Sequence, residues 1–242
     1  MGEKMRVDKF ISNMGFGSRK DIKEFIKKKK ITVNGEVIKK SDIYIDTDDE
    51  IFCCGQRVVY EKYIYIMMNK PVGYVSANED KREKTVFDLI GNEYRKNELF
   101  VAGRLDKDTE GLLIITNNGK FAHNMLSPKK HVDKTYFVRI EGGVISDADI
   151  DSFSSGIVID GGYKCKPAKI EVLENGDISE SLLTISEGKF HQVKRMFEAV
   201  GKKVIFLKRV KIGELCLDES LEKGDFKLLN DDEVRLIGAE LE

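Results

Sequence analysis

Cysteine and histidine are scarce in this chain: there are four of the first, at Cys53, Cys54, Cys165 and Cys216, and three of the second among 242 residues. No CxxC spacing links the cysteines, so they make a poor zinc site and a poor disulfide framework; reduced, largely structural thiols are expected. No apolar run approaches the ~20 residues that cross a bilayer, and the N-terminus lacks a signal peptide's apolar core. A cytosolic protein without a membrane partner is therefore expected. Neither a Walker sequence nor a glycine-rich dinucleotide motif is present. Internal repeats and low-complexity tracts are missing too. The expectation is chemistry that uses no metal and no cofactor.

What is present is ordinary globular material, 41% hydrophobic and 34% charged, with room for one large domain or two unequal ones. The net charge of −1 conceals an uneven distribution. Residues 1–41 hold twelve Lys/Arg against five Asp/Glu, whereas residues 214–242 hold three against ten. A basic head on a near-neutral protein suggests a polyanionic partner met by one end.

In the head, Val7, Phe10, Ile11 and Met14 follow helical spacing, and Gly15 with Gly17 stops that helix. Ser18 starts a second helix, with Asp21 as its capping-box partner and Ile22, Phe25 and Ile26 as its apolar stripe. Lys27 to Lys30 lie at the end where the helix dipole favours cations. Two short strands around Asn34-Gly35 follow, the strongest short hairpin signal. A lone lysine run is commonly no more than a solvated helix end. Here Arg19, Lys20, Lys23 and Lys27 gather on one helix before a hairpin, a surface suited to phosphate contacts. Residues 46–62 read as the end of the head and a short connection.

From about Tyr63 the chain alternates strand-like runs with few helices. "YIYIMMNK" is broken after Lys70 by Pro71 and Gly73, and "GLLIIT", "KTYFVRIE", "AKIEVLE", "SLLTIS" and "KVIFLKRVKIGEL" follow. Helices are expected around 117–126 and 189–200, with a third in "SDADIDSFSSG". The fold class is α+β: a small N-terminal α/β domain over 1–60 including its linker, then a mainly antiparallel-sheet domain over 61–242.

Three stretches carry chemistry. In "FVAGRLDKDTEGLLIITNNG", Gly103 lets the chain leave a strand with unusual dihedrals and Asp106 falls on the connection between strands. Arg104, two residues away, is expected to favour its charged form. Lys107, Asp108 and Glu110 read as surface charge. In "KTYFVRI", Tyr136 begins a strand. In "LLTISEGKFHQVKRMFEAVG", Phe190, Val193, Phe197 and Val200 form a helical stripe capped by Gly201, leaving His191, Lys194, Arg195 and Glu198 on the other side. Each feature alone has a plain explanation: a turn-forming aspartate, a packed tyrosine, a solvated helix face.

Together, and in this order, the motifs resemble the pseudouridine synthases of the RsuA/RluA type. "GRLDKDTEGLL" looks like their catalytic-aspartate motif, "KTY" like their tyrosine motif and "EGKFHQVKRM" like their third motif, while "MMNKPVGYVSA" matches their first, mostly structural one. Met5 to about Ile45 resembles the RNA-binding domain named after ribosomal protein S4, which implies recognition of folded rRNA by shape. Around the third motif the chain is most similar to the branch acting on 16S rRNA.

The resemblance implies a reaction that breaks a carbon–nitrogen glycosidic bond, turns the freed uracil and joins the sugar to ring carbon 5, after the target has been swung out of its stack. It implies that Asp106 is the essential carboxylate, acting either on the anomeric carbon or on the proton next to it. Lys194 aligns with the basic partner of that carboxylate, with Arg195 as the neighbouring alternative; here lysine stands where other branches carry arginine. Arg104 would touch RNA, filling the space of the flipped base or holding a phosphate. Tyr136 would pack on the uracil and help remove the carbon-5 proton. His191 is assigned to the pocket wall or an RNA contact, with a satisfied structural histidine as the equal alternative. The expected partner is rRNA, 16S within the small subunit or an assembly intermediate of it, met by a monomer. A 23S synthase, a non-catalytic RNA-binding assembly factor and a metal-dependent RNA hydrolase are the competing readings, the last lacking ligand spacing.

Overall fold

The computed structural model describes residues 4–60, 63–90, 99–127, 130 and 132–238. The chain divides into two compact units, one made by residues 1–63 with 91–98 and the other by 64–90 with 99–242. The expected boundary after residue 60 falls on residues 61–62, outside the described residues.

In the first unit, β1 (Lys4–Arg6) leads into α1 (Val7–Asn13), followed by α2 (Arg19–Lys27), β2 (Ile31–Val33), β3 (Glu36–Val37), β4 (Tyr44–Asp46), β5 (Ile51–Cys53) and β6 (Gln56–Val58). Strand β1 pairs with β4, and the other four form one sheet in the order β3-β2-β5-β6. The capping box forms as the sequence expects: Asp21 donates its backbone N–H to Ser18 Oγ, and Ser18 donates its own to Asp21 Oδ2. Asn34 and Gly35 both take positive φ, +51° and +83°, as the tight hairpin turn requires. The periodic residues Val7, Phe10, Ile11, Ile22 and Ile26 meet Ile31, Ile51 and Cys53 in one core. Residues 51–58 are therefore two strands of the head's sheet rather than connecting chain. Their alternation is too short to stand out, because each strand spans three residues.

The second unit opens with β7 (Tyr65–Lys70), then β8 (Phe100–Ala102), β9 (Glu110–Thr116), α3 (Gly119–Leu126), β10 (Lys134–Glu141), α4 (Asp147–Ser155), β11 (Val158–Ile159), β12 (Tyr163–Lys164), β13 (Lys169–Glu174) and β14 (Ile178–Ile185). It ends with α5 (Gln192–Glu198), β15 (Lys203–Ile212), β16 (Leu215–Cys216), β17 (Phe226–Leu228) and α6 (Asp231–Leu236). A nine-stranded sheet runs β13-β14-β10-β15-β9-β7-β17, with β8 beside β9 and β16 beside β15. Pairing is antiparallel except between β15 and β9 at the centre, where Arg209 stands opposite Gly111 in a parallel register. The sequence pattern explains which strands are central. All seven residues of β9 are buried, and Gly111 to Ile115 form a continuous apolar run, whereas β10 and β14 alternate because one face is covered.

The helices cover the sheet with aromatic residues. Phe153 of α4 meets Phe197 of α5 at 5.0 Å between ring centroids, and Phe121 of α3 meets Tyr65 of β7 edge-on at 4.9 Å. Among the described residues no helix is long and apolar enough to cross a membrane.

Helix α5 is shorter than the periodicity of 189–200 suggests. His191 adopts a left-handed φ of +50° and ends the helix on its N-terminal side, so Phe190 leaves the apolar stripe and stands 75% exposed. Of the other stripe members, Val193 and Phe197 are buried as expected and Val200 is half-buried.

Candidate active site

The connection from β8 to β9 is built so that Asp106 is held from beneath. It leaves β8 through Gly103, whose φ of +84° is open to glycine and strained for other residues. Two fully buried cations then bind its carbonyls. Lys70, at the end of β7, donates from Nζ to the carbonyls of Asp106 at 3.0 Å, Thr109 at 2.8 Å and Pro71 at 3.1 Å. Arg209 of β15 donates to the carbonyls of Leu112 at 2.8 Å and Gly103 at 2.7 Å. Ser76 accepts from the Leu105 N–H at 3.1 Å and donates to its carbonyl at 2.8 Å. Burial pushes the Lys70 ammonium down to about 8, against the opposing pull of Asp108, Asp106 and Glu110. These residues were not singled out by sequence reading.

The loop forms one wall of a cleft of about 660 Å³, a size suited to a small ligand or a single nucleotide. Asp106, Arg104, Tyr136, His191 and Lys194 all line it. Lys194 Nζ lies 3.7 Å from one Asp106 carboxylate oxygen and His191 Nε2 lies 3.7 Å from the other. Tyr136 is 8% exposed, one ring in the cleft's inner lining. Arg104 is exposed, and among the described residues it makes no ion pair. Among the described residues, the Lys194 ammonium and the His191 imidazole, from α5 and its cap, stand nearest the Asp106 carboxylate, rather than the sequence neighbour Arg104.

Two further expectations change and a third gains a partner. Asp108 is exposed as expected but paired: Lys194 donates to its two oxygens at 2.6 and 2.8 Å. Burial would raise the Asp108 carboxyl, but the Lys194 ammonium outweighs it and holds the group below its usual range. Glu110 is buried and bonded to Lys223 at 2.8 Å, while Lys107 pairs with Glu83 at the surface as a solvated charge should. Arg195 does not line the cleft; its guanidinium binds the Asp160 carboxylate and, at 2.7 Å, the Asp160 carbonyl. In the head, Arg19, Lys20, Lys23 and Lys27 are exposed, with Lys27 paired to Glu24 at 2.7 Å. Cys53 and Cys165 are buried thiols and Cys54 and Cys216 exposed ones.

The model of the RNA pseudouridylate synthase family matches residues 64–199, more than half of the chain and all of the cleft lining except Leu207 and Arg209. The chain belongs to this family. The S4 domain model matches residues 5–51 of the synthase. An RNA pseudouridine synthase of Bacillus subtilis, YtzG, is 46% identical over 96% of this chain and 98% of its own length. The ribosomal small subunit pseudouridine synthase A of Haemophilus influenzae is 39% identical over 95% of this chain and 98% of its own. A crystal structure of a pseudouridylate synthase superposes with a TM-score of 0.67 at 37% identity, covering 96% of this chain and 99% of that one. The synthase is thus an isomerase acting on uridine in RNA, with an S4 domain at its N-terminal side and an α+β architecture. Among its described residues no group of three His, Cys, Asp or Glu is arranged to hold a metal ion.

Proposed function

We propose that this synthase isomerises one uridine of ribosomal RNA, in the 16S molecule of the small subunit, and that Asp106 is its essential carboxylate. The observation that carries this reading is the meeting of Asp106, Lys194, His191 and Tyr136 in one cleft, from three separate segments of chain. The likeness to small-subunit synthases over nearly the whole chain supports the choice of 16S rRNA. An rRNA substrate places the work in the cytoplasm, and a monomer suffices for it.

In the reaction the bond from the sugar's anomeric carbon to N1 breaks and one to C5 forms. C5 loses a proton and N1 gains one, so atoms and electrons balance without a redox partner. Asp106 either attacks the anomeric carbon or takes the proton from the adjacent sugar carbon. In both routes the Lys194 ammonium offsets the carboxylate's charge as RNA displaces water from it. Tyr136 packs on the flipped uracil and assists removal of the C5 proton. Arg104, which makes no ion pair among the described residues, fills the vacated stack or holds a phosphate. His191 forms the cleft wall. The exposed cations Arg19, Lys20, Lys23 and Lys27 grip folded rRNA through its backbone. We assign the division near residue 60 the same meaning: binding before it, chemistry after it.

The test is to map pseudouridine in transcribed 16S rRNA, 23S rRNA and small-subunit assembly intermediates incubated with wild-type protein and with Asp106→Asn. Wild type is expected to give one new site in 16S rRNA and the variant none, with RNA binding retained. A product only in 23S rRNA defeats the choice of subunit, and an Asp106→Asn enzyme at wild-type rate defeats the role of the carboxylate. No product in any form favours an assembly factor.

A further inference from the structure

Phe190 is more exposed, at 75%, than any other large apolar side chain among the described residues. A loose turn could account for that, but this turn is pinned on several sides. Lys189 donates its backbone N–H to Gln192 Oε1 at 2.8 Å, and the buried Gln192 donates onward to Glu187 Oε1 at 2.8 Å. Arg195, anchored on Asp160, donates from Nη1 to the Phe190 carbonyl at 3.2 Å. His191 takes a left-handed backbone conformation that disfavours any residue with a Cβ. The outcome of these constraints is a ring held out in solvent with a second ring behind it. His191 stacks on Phe190 at 3.7 Å between centroids and 20° between planes. Both rings line the cleft, among Arg104, Lys189 and Lys194.

We propose that the Phe190–His191 stack is a platform for an unpaired RNA base beside the uridine being isomerised. The proposal rests on the reading of the cleft as a uridine site in rRNA. Swinging one nucleotide out of its stack strips a neighbour of its stacking partner as well. An exposed aromatic face replaces that partner for any of the four bases, and nearby cations hold the phosphates on either side. Tyr136, almost fully buried, serves the base inside the cleft; Phe190, open to solvent, serves one at its rim. Arg195 then acts as a positioning residue, because its guanidinium fixes the carbonyl of the residue that stacks.

The test uses the full chain and whichever rRNA form wild type modifies. Phe190→Ala is expected to raise KM for rRNA about 5- to 150-fold with kcat nearly unchanged, and Phe190→Tyr to restore it. Phe190→Leu, which returns apolar bulk without a π-face, is expected to leave KM high. The chain contains no tryptophan, so Phe190→Trp in the Asp106→Asn background carries a unique reporter whose emission rRNA should quench. The proposal is overturned by leucine working as well as tyrosine, by an unchanged KM in Phe190→Ala, by a loss confined to kcat, or by unquenched emission. Wild type that makes no pseudouridine in rRNA counts instead against the function on which the platform depends.

Discussion

Lys194 is bonded to Asp108 through both carboxylate oxygens, at 2.6 and 2.8 Å, and so reaches Asp106 only at 3.7 Å. One ammonium is shared between two carboxylates, and the nearer one is the more exposed, 71% against 29%. Asp108 thus aims Lys194 without standing at the bottom of the cleft itself. Lys194→Met is expected to lower kcat about 100-fold or more, the usual cost of removing one preorganised charge partner. Asp108→Asn keeps the cation while freeing it, and a loss of about tenfold or less is expected. Single-turnover rates on rRNA give the comparison, and a larger loss for Asp108→Asn would contradict this division of roles.

Lys134 of β10 gives the fold a pH signature. Burial, with the Arg209 charge adding to it, pushes its ammonium down to about 8 from 10.5. Between those values the unfolded chain holds a proton that the folded chain has released. The stability contribution is therefore full above about 10.5 and is lost as pH falls toward 8. Urea unfolding of wild type and Lys134→Met at pH 7, 8.5 and 10 should show wild type gaining on the variant as pH rises, by up to about 1.4 kcal/mol per unit. A difference that is flat over this range counts against the assignment.

At the parallel crossing of β9 and β15, Gly111 has a φ of +101° and a Cβ there would overlap the Arg209 carbonyl. Gly111→Ala combines backbone strain with a collision against backbone that cannot turn aside, and a loss of about 3 kcal/mol or more is expected. Gly119→Ala is the control: it begins α3 with open space around it, and stability should stay equal or rise by up to about 1 kcal/mol. Thermal melts of the two variants decide; equal effects would mean that the crossing is looser than described.

Arg19, Lys20 and Lys23 are exposed on α2, and among the described residues they make no ion pair. Replacing all three by Gln should weaken rRNA binding and flatten the plot of log affinity against log salt by about 2 to 3 units of slope, near one per lost phosphate contact. The melting temperature should barely move. An unchanged slope would show that RNA meets another face.

What could be read from the sequence was what neighbours in sequence decide. The Ser18–Asp21 cap, the Asn34-Gly35 turn, the stripe of α1 and the placement of Asp106 between two strands each depend on one short continuous stretch of chain. The pairing of Asp108 and the burial of Glu110 are not legible in sequence because their partners, Lys194 and Lys223, lie 86 and 113 residues away. Phe190 was misread because helical spacing continues through it, while the left-handed backbone at His191 breaks the helix without a glycine or proline to announce it. Lys70 and Arg209 had no legible role, since a buried cation satisfied by carbonyls looks in sequence like any charge on a strand.

Arg209 also bears on the order in which the molecule can come into being. Its guanidinium closes on Gly103 across 106 residues, and β15 is the strand that joins β9 to β10. Until residue 209 has been synthesised, the turn carrying Asp106 lacks a wall and one of its two buried supports. The core of the basic head is formed by residues between Met5 and Val58, all of them made before the cleft. During translation the head can fold at once, while the cleft waits for the last quarter of the polypeptide and its slow long-range pairing.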